Sequence, residues 1–150
     1  INDQVLLNLG YMVLSILLSL IFLVLALVHF YWAFGGKLGF AKVLPTNESG
    51  VRVLNPKKLD CALVGLSLAA FTVFYLLRAR FITYDIPERV VQYGGWVVPI
   101  LFLLRAIGEF KYVGFFKSVR NTNFGQLDTK FFSPLCVVIA IVATLVNVVD

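Results

Sequence analysis

Four long apolar stretches constrain the fold of this chain more than any other feature of its sequence. Each is about the 20 residues that a helix needs to cross a bilayer, and they cover residues 9–32, 60–78, 89–107 and 131–149. Runs such as LSILLSLIFLVLALVHF are continuous rather than alternating, which favours helices over the strands of a barrel. We therefore predict an all-α integral membrane four-helix bundle, a single four-span transmembrane domain over residues 1–150.

The composition supports the bilayer as the solvent of this chain. Hydrophobic residues make up 60% of the 150 residues and charged residues only 14%, whereas soluble domains average about 45–50% and about 25%. Such a chain is too apolar to fold in water as a monomer. In hydrocarbon every backbone donor and acceptor needs a partner within the protein, which again favours helices.

Proline and the spacing of apolar residues make two predictions about the third helix. Pro99 lies in the middle of the span, where it removes one hydrogen bond and predicts a kink. The kink would leave room inside the bundle, either for packing or for a ligand. Near-helical spacing after Arg105 also predicts that this helix extends beyond residue 107 into the interface.

Basic residues are concentrated in two longer loops on one side, 35–58 and 108–130. Nine lysines and arginines lie there and only three at the opposite side. The positive-inside rule then predicts cytoplasmic loops and external termini. Because the chain opens at Ile1 rather than Met, we expect further residues upstream. The nine are Lys37, Lys42, Arg52, Lys57, Lys58, Lys111, Lys117, Arg120 and Lys130, and the three are Arg78, Arg80 and Arg89.

Polar residues at the loop ends of the spans are the candidate binding site. Arg105 and Glu109 are four residues apart, which on one helix brings the side chains together as a structural ion pair or as an anion clamp. His29 is either a hydrogen-bonded interfacial histidine or a proton carrier, because imidazole titrates near neutral pH. Asp60 suits a helix N-terminus. The full candidate set is His29, Trp32, Lys37, Asp60, Arg105, Glu109 and Lys111.

No motif in the sequence predicts a catalytic residue, a metal or a cofactor. The single histidine, the scattered carboxylates and the two cysteines match no zinc-site spacing. The glycines at 35, 36 and 39 lack the strand and the trailing Lys-Ser/Thr of a phosphate loop. Cys61 and Cys136 form no C-x-x-C motif and are interpreted as small apolar packing residues, with a redox pair as the alternative.

Two segments carry a resemblance to a known family. HFYWAFGGKLGFAKVLP covers residues 29–45, and RAIGEFKYVGFFKSVRNTNFGQLDTKFFSPLC covers residues 105–136. Together they resemble a family of small bacterial four-span membrane proteins catalogued only as a domain of unknown function. The resemblance implies a multi-pass protein of the bacterial cytoplasmic membrane and implies no known activity.

These features predict a small non-catalytic membrane protein whose positively charged loops bind a partner subunit or a lipid headgroup. Two alternatives remain open: a membrane enzyme on a lipid-linked substrate that uses His29, Arg105 and Glu109, and a small oligomeric transporter or channel. The enzyme requires these three side chains to converge within hydrogen-bond reach. The expected partners are membrane lipids and a partner membrane protein or a second copy, with no nucleic acid.

Overall fold

Four membrane-length helices form the architecture of the chain, as the sequence predicts. The computed structural model describes residues 2–81 and 85–149. Within that part, the helices long and apolar enough to cross a membrane are Asp3–Ala33, Lys58–Arg78, Glu88–Ile107 and Asn123–Val149. The first three are named α1, α2 and α3. The fourth consists of α4 (Asn123–Leu127), a π-helical turn (Asp128–Phe132) and α5 (Ser133–Val149), and a 3-10 turn covers Phe40–Lys42.

Two predicted helix starts are wrong. Asn55-Pro56 suggests the beginning of the second helix, but α2 begins at Lys58, where the Asp60 carboxylate accepts a hydrogen bond from the Lys57 N–H at 2.7 Å. Ser133-Pro134 suggests the beginning of the fourth, but helical structure begins ten residues earlier, at Asn123, with Thr122 as its N-cap. The π-helical turn ends at Phe132, two residues before this proline, whose missing N–H removes one hydrogen bond from the helical ladder.

The third helix ends at Ile107 instead of extending into the interface. Gly108 follows with φ +83°, a conformation that L side chains rarely adopt. A Cβ at this position would overlap the carbonyl oxygen of Val113, so the chain folds back tightly at this point. The kink expected at Pro99 stays a prediction; Pro99 lies buried inside α3.

The core is built by α1 packing on α2, α3 packing on α5, and a smaller contact between α1 and α5. Ser15 and Ser19 are buried on α1, and the Ser19 hydroxyl donates to the Thr72 carbonyl of α2 at 3.2 Å. Small hydroxyl residues commonly mediate such helix contacts in membranes. Phe22 is fully buried, and its ring contacts the rings of Phe71, Tyr75 and Phe102.

Both longer connections lie at one end of the bundle. The 3-10 turn Phe40–Lys42 contacts α4, and a polar cleft of about 400 Å³ separates residues 41–50 from residues 121–124. We call this end, formed by residues 34–57 and 108–122 together with the helix ends next to them, the loop face. It is the end to which the sequence assigns the candidate site.

Candidate functional site

The connection after α1 folds back on the last turn of that helix. Gly35 lies two residues after the end of α1 and has φ +96°, the left-handed conformation with which glycine commonly terminates a helix. The indole Nε1 of Trp32 donates to the Leu38 carbonyl at 3.0 Å, and the Tyr31 hydroxyl accepts from the Leu38 N–H at 3.4 Å. Two aromatic side chains therefore hold the loop against the helix end, and they shape the cavity beside it.

A cavity of about 430 Å³ opens between this loop, the turn around Arg52 and the start of α2. Three cations and two aromatic residues contribute to its wall. We call it the basic cradle; its lining includes Trp32, Lys37, Phe40, Arg52, Lys58 and Cys61. No carboxylate is among the described residues that line it. Two of the predicted site residues, Trp32 and Lys37, therefore lie in one cavity.

The cations reach the basic cradle from three separate segments. Lys37 belongs to the loop after α1, and Lys58 is the first residue of α2. Arg52 is held by an isolated antiparallel bridge to Thr46. The Lys58 ammonium lies beside the backbone of Gly35, where a Cβ would be 3.4 Å from its Nζ. Within residues 2–81 and 85–149, none of the three cations forms an ion pair.

A second group of charged side chains is buried on the other half of the loop face. The Asp128 carboxylate accepts hydrogen bonds from Arg105 Nη2 at 2.9 Å and from Lys117 Nζ at 3.1 Å. We call these three residues the ion triad. Asp128 and Lys117 are fully buried, whereas the Arg105 side chain is 35% exposed. Two cations and one carboxylate leave the ion triad with a net positive charge, whose exposed part is Arg105.

The ion triad ties the loop after α3 to the helix before α5. Asp128 Oδ2 also accepts the Gly114 N–H at 2.8 Å, and Lys117 Nζ donates to the Gly114 carbonyl at 2.9 Å and to the Thr129 hydroxyl at 2.7 Å. All three protons of the buried ammonium group therefore have acceptors, as a charge inside a protein requires. The π-helical turn therefore supplies the side chains, Asp128 and Thr129, that hold the buried ammonium group of Lys117.

The predicted pairing of Arg105 with Glu109 is wrong. Their spacing of four residues brings side chains together only on a continuous helix, and α3 ends at Ile107. The Glu109 carboxylate instead accepts hydrogen bonds from the backbone N–H groups of Tyr112 and Val113, the latter at 3.1 Å. Arg105 contacts Asp128, which lies 23 residues further along the chain.

The remaining predicted residues occupy separate places. His29 Nδ1 donates to the Leu25 carbonyl at 2.8 Å, and its ring contacts Trp32. Asp60 caps α2, and the Lys111 ammonium lies over the Tyr112 ring at 5.1 Å. Among the described residues, His29, Arg105 and Glu109 have separate hydrogen-bond partners and do not contact one another, so the convergence that a lipid-modifying enzyme requires is not observed there.

A further polar cluster lies at the opposite end of the bundle. Arg78 is buried, and its guanidinium group donates to the Tyr11 hydroxyl at 3.0 Å and to the Asn147 side-chain oxygen. Asn147 in turn donates to the Gly95 carbonyl at 2.6 Å. These residues connect α1, α2, α3 and α5, so the cluster joins all four spans. From the sequence, Arg78 is identified only as a cation at the end of the second span, without partners in the other helices.

Sequence reasoning missed Asp128 and Lys117 as the centre of a buried network. From the sequence, Asp128 is interpreted only as an acidic residue that stabilises a helix N-terminus, and Lys117 only as one of the loop cations. The available signal was a carboxylate close to an otherwise apolar span, with cations nearby on both sides in the sequence. Among the described residues, no group of three or more His, Cys, Asp or Glu side chains is placed to hold a metal ion.

Comparison with known proteins identifies the family of the chain but no relative of known activity. No curated protein and no solved structure matches it. One family model, described as a protein of unknown function (DUF3995), matches residues 22–143. The match contains the basic cradle, the ion triad and both parts of the loop face. The chain belongs to the DUF3995 family.

Proposed function

We propose that this protein is a membrane-embedded binding module that holds the anionic headgroup of a lipid in the basic cradle. The observation that carries this proposal is the convergence of Lys37, Arg52 and Lys58 on one cavity whose described lining contains no carboxylate. Clusters of Lys and Arg beside a membrane-spanning helix attract anionic lipids. The N-terminus of α2 adds the favourable end of a helix dipole to the same cavity.

Exposed apolar side chains near the cradle support a lipid rather than a soluble anion as the ligand. Phe34 and Leu38, in the loop that forms the cradle, are 88% and 83% exposed. Leu54 and Leu59, on either side of the start of α2, are also exposed. Such residues are stable at a membrane interface and unfavourable in water. A cavity at the depth of the membrane interface would be in contact with lipid headgroups rather than with the bulk cytosol.

The proposal includes an orientation in the bacterial inner membrane, with the loop face in the cytoplasm and the termini outside. The excess of Lys and Arg in the two loops supports it. We expect a cysteine at Lys42, in a background with Cys61→Ala and Cys136→Ala, to react with an impermeant maleimide only after the cells are opened. Labelling of intact cells would contradict this orientation.

Charge removal from the cradle tests headgroup binding. We expect Lys37→Gln/Arg52→Gln to weaken binding of phosphatidylglycerol about 30-fold, because each cation beside the bound headgroup contributes about 1 kcal/mol to the attraction of an anionic lipid. Native mass spectrometry of the purified protein during a lipid titration gives the apparent dissociation constant. Phosphatidylcholine, which carries no net charge, provides the baseline.

The matched control removes the same charge from elsewhere on the loop face. Lys42→Gln/Lys57→Gln alters two cations that do not line the cradle and should leave phosphatidylglycerol binding within about twofold of wild type. Equal losses in both double variants would attribute binding to the general surface potential and reject the cradle. Full displacement of the lipid by inorganic phosphate would identify a soluble anion as the ligand.

A further inference from the structure

The charge of the basic cradle exceeds that of a common phospholipid headgroup. Lys37, Arg52 and Lys58 contribute three positive charges, and the described lining residues include no carboxylate. Asp60 is the acidic residue nearest in sequence to Lys58, and its carboxylate is bound to the Lys57 N–H. A phosphodiester headgroup carries one negative charge, which would leave two cations without compensation. A terminal phosphomonoester carries between about 1.5 and 2 negative charges at neutral pH.

The arrangement of the cations also fits a terminal phosphate. They come from three segments: the loop after α1, the turn bridged at Thr46 and Arg52, and the first turn of α2. Three cations on one cavity match the three free oxygens of a phosphomonoester, whereas a phosphodiester has only two. The volume of about 430 Å³ exceeds that of a phosphate alone, leaving room for the first atoms of the lipid that bears it.

Two aromatic rings in the wall of the cavity strengthen its preference for a doubly charged headgroup. The rings of Trp32 and Phe40 are in edge contact, with centroids 5.6 Å apart, and both line the cavity. Apolar surface beside a charge pair lowers the local dielectric constant, and attraction between opposite charges increases accordingly. A ligand with a second negative charge therefore gains more binding free energy in such a site than beside a fully hydrated cluster of lysines.

From these observations we infer that the basic cradle selects lipids whose headgroup ends in a phosphomonoester, of which phosphatidic acid is the simplest. The inference rests on the proposed function, because it specifies the ligand of the same site. It assigns Arg52, the one guanidinium group among the described residues that line the cradle, as the cation that distinguishes the two headgroup classes. A guanidinium group takes two phosphate oxygens at once, so only a phosphomonoester keeps a third free oxygen for the two lysines; without Arg52, the two oxygens of a phosphodiester are available to them as well.

The test compares two lipids that differ by one methyl group on the phosphate. Phosphatidic acid has a phosphomonoester, and phosphatidylmethanol is the corresponding small diester with one charge. In the native mass spectrometry titration at neutral pH, we expect wild-type protein to bind phosphatidic acid about fivefold more tightly, the factor expected from roughly 1 kcal/mol per charge contact near a membrane surface. Arg52→Gln should reduce this ratio to near one, and Lys42→Gln should preserve it.

The possible outcomes distinguish a failure of the phosphomonoester inference from a failure of headgroup binding itself. Equal affinity of wild-type protein for both lipids, with both above phosphatidylcholine, would overturn the phosphomonoester inference and keep headgroup binding. No affinity above phosphatidylcholine for either lipid would overturn both. The comparison of lipids uses wild-type protein, so a folding defect in Arg52→Gln cannot obscure it. A preference that survives Arg52→Gln would reject the role assigned to that residue.

Discussion

Asp128 is the residue on which the structure of the loop face depends most directly. Its carboxylate is fully buried and contacts two cations and one backbone N–H. Lys117, which is also fully buried, relies on this carboxylate for its only acidic partner among the described residues. A buried ion pair adds little net stability over apolar residues, but the loss of one member leaves a buried charge uncompensated.

We expect Asp128→Asn to destabilise the protein by about 3–5 kcal/mol, the usual cost of breaking a buried pair. Reversible unfolding in mixed micelles, as a denaturing detergent replaces a mild one, measures the change. Adding Lys117→Met removes the uncompensated charge, so the double variant should be more stable than Asp128→Asn alone. A double variant at least as unstable as the single one would contradict this account of the ion triad.

At the scale of elements, the loop after α3 acts as a compact unit clamped to the helix before α5. The Phe115 N–H donates to the Ala106 carbonyl at 2.8 Å, and the Val119 N–H donates to the Lys111 carbonyl at 2.9 Å. Gly114 lies at the closest approach, with φ +88° and its Cα beside the backbone of Ile107 and Gly108. Its N–H is also the backbone donor to Asp128.

We expect Gly114→Ala to destabilise the protein by about 2 kcal/mol or more. The added Cβ would overlap the Ile107 carbonyl, and the left-handed backbone conformation itself costs about 1–2 kcal/mol for a residue with a side chain. Detergent unfolding and protease sensitivity of residues 108–122 measure the effect. Gly10→Ala is the matched control, because nothing lies within 4 Å of its Cβ position in α1. Gly10→Ala should be neutral or slightly stabilising, and equal losses in both variants would reject the close-approach explanation.

At the scale of the whole molecule, two pairs of helices meet around one aromatic side chain. Phe22 of α1 contacts Phe71 and Tyr75 of α2 and Phe102 of α3, with ring centroids 5.5 to 5.8 Å apart. The same core contains Ile139 and Ala143 of α5. Helices in a bilayer gain no hydrophobic driving force from meeting one another, so close packing of this kind has to hold them together.

We therefore expect Phe22→Ala to destabilise the bundle by about 3–5 kcal/mol, the range for truncating a buried phenylalanine. Leu20→Ala, two residues away on the lipid-facing side and 55% exposed, should change stability by no more than about 0.5 kcal/mol. Unfolding of both variants in mixed micelles tests the contrast. A loss as large for Leu20→Ala would show that apolar content, rather than packing around Phe22, determines stability.

The sequence determines more of the fold than of the site. The length and continuity of the apolar stretches predict four spans, because a helix needs about 20 apolar residues to cross a bilayer and satisfies its own backbone hydrogen bonds there. The confirmed helices differ from the predicted spans chiefly at their ends, where polar residues allow several starts. Position in the sequence also predicts that Trp32 and Lys37 lie on the loop face, since Trp32 ends a predicted span and Lys37 follows it by five residues.

Only the tertiary structure decides which charged residues meet. Arg105 pairs with Asp128 rather than with Glu109 because α3 ends at Ile107 and the chain turns back at Gly108. Lys37, Arg52 and Lys58 share a cavity because a loop and a bridge fold against the start of α2. Hydrophobic periodicity carries no information about such contacts. They follow from loop conformation and from the need of each buried charge for a partner across the fold.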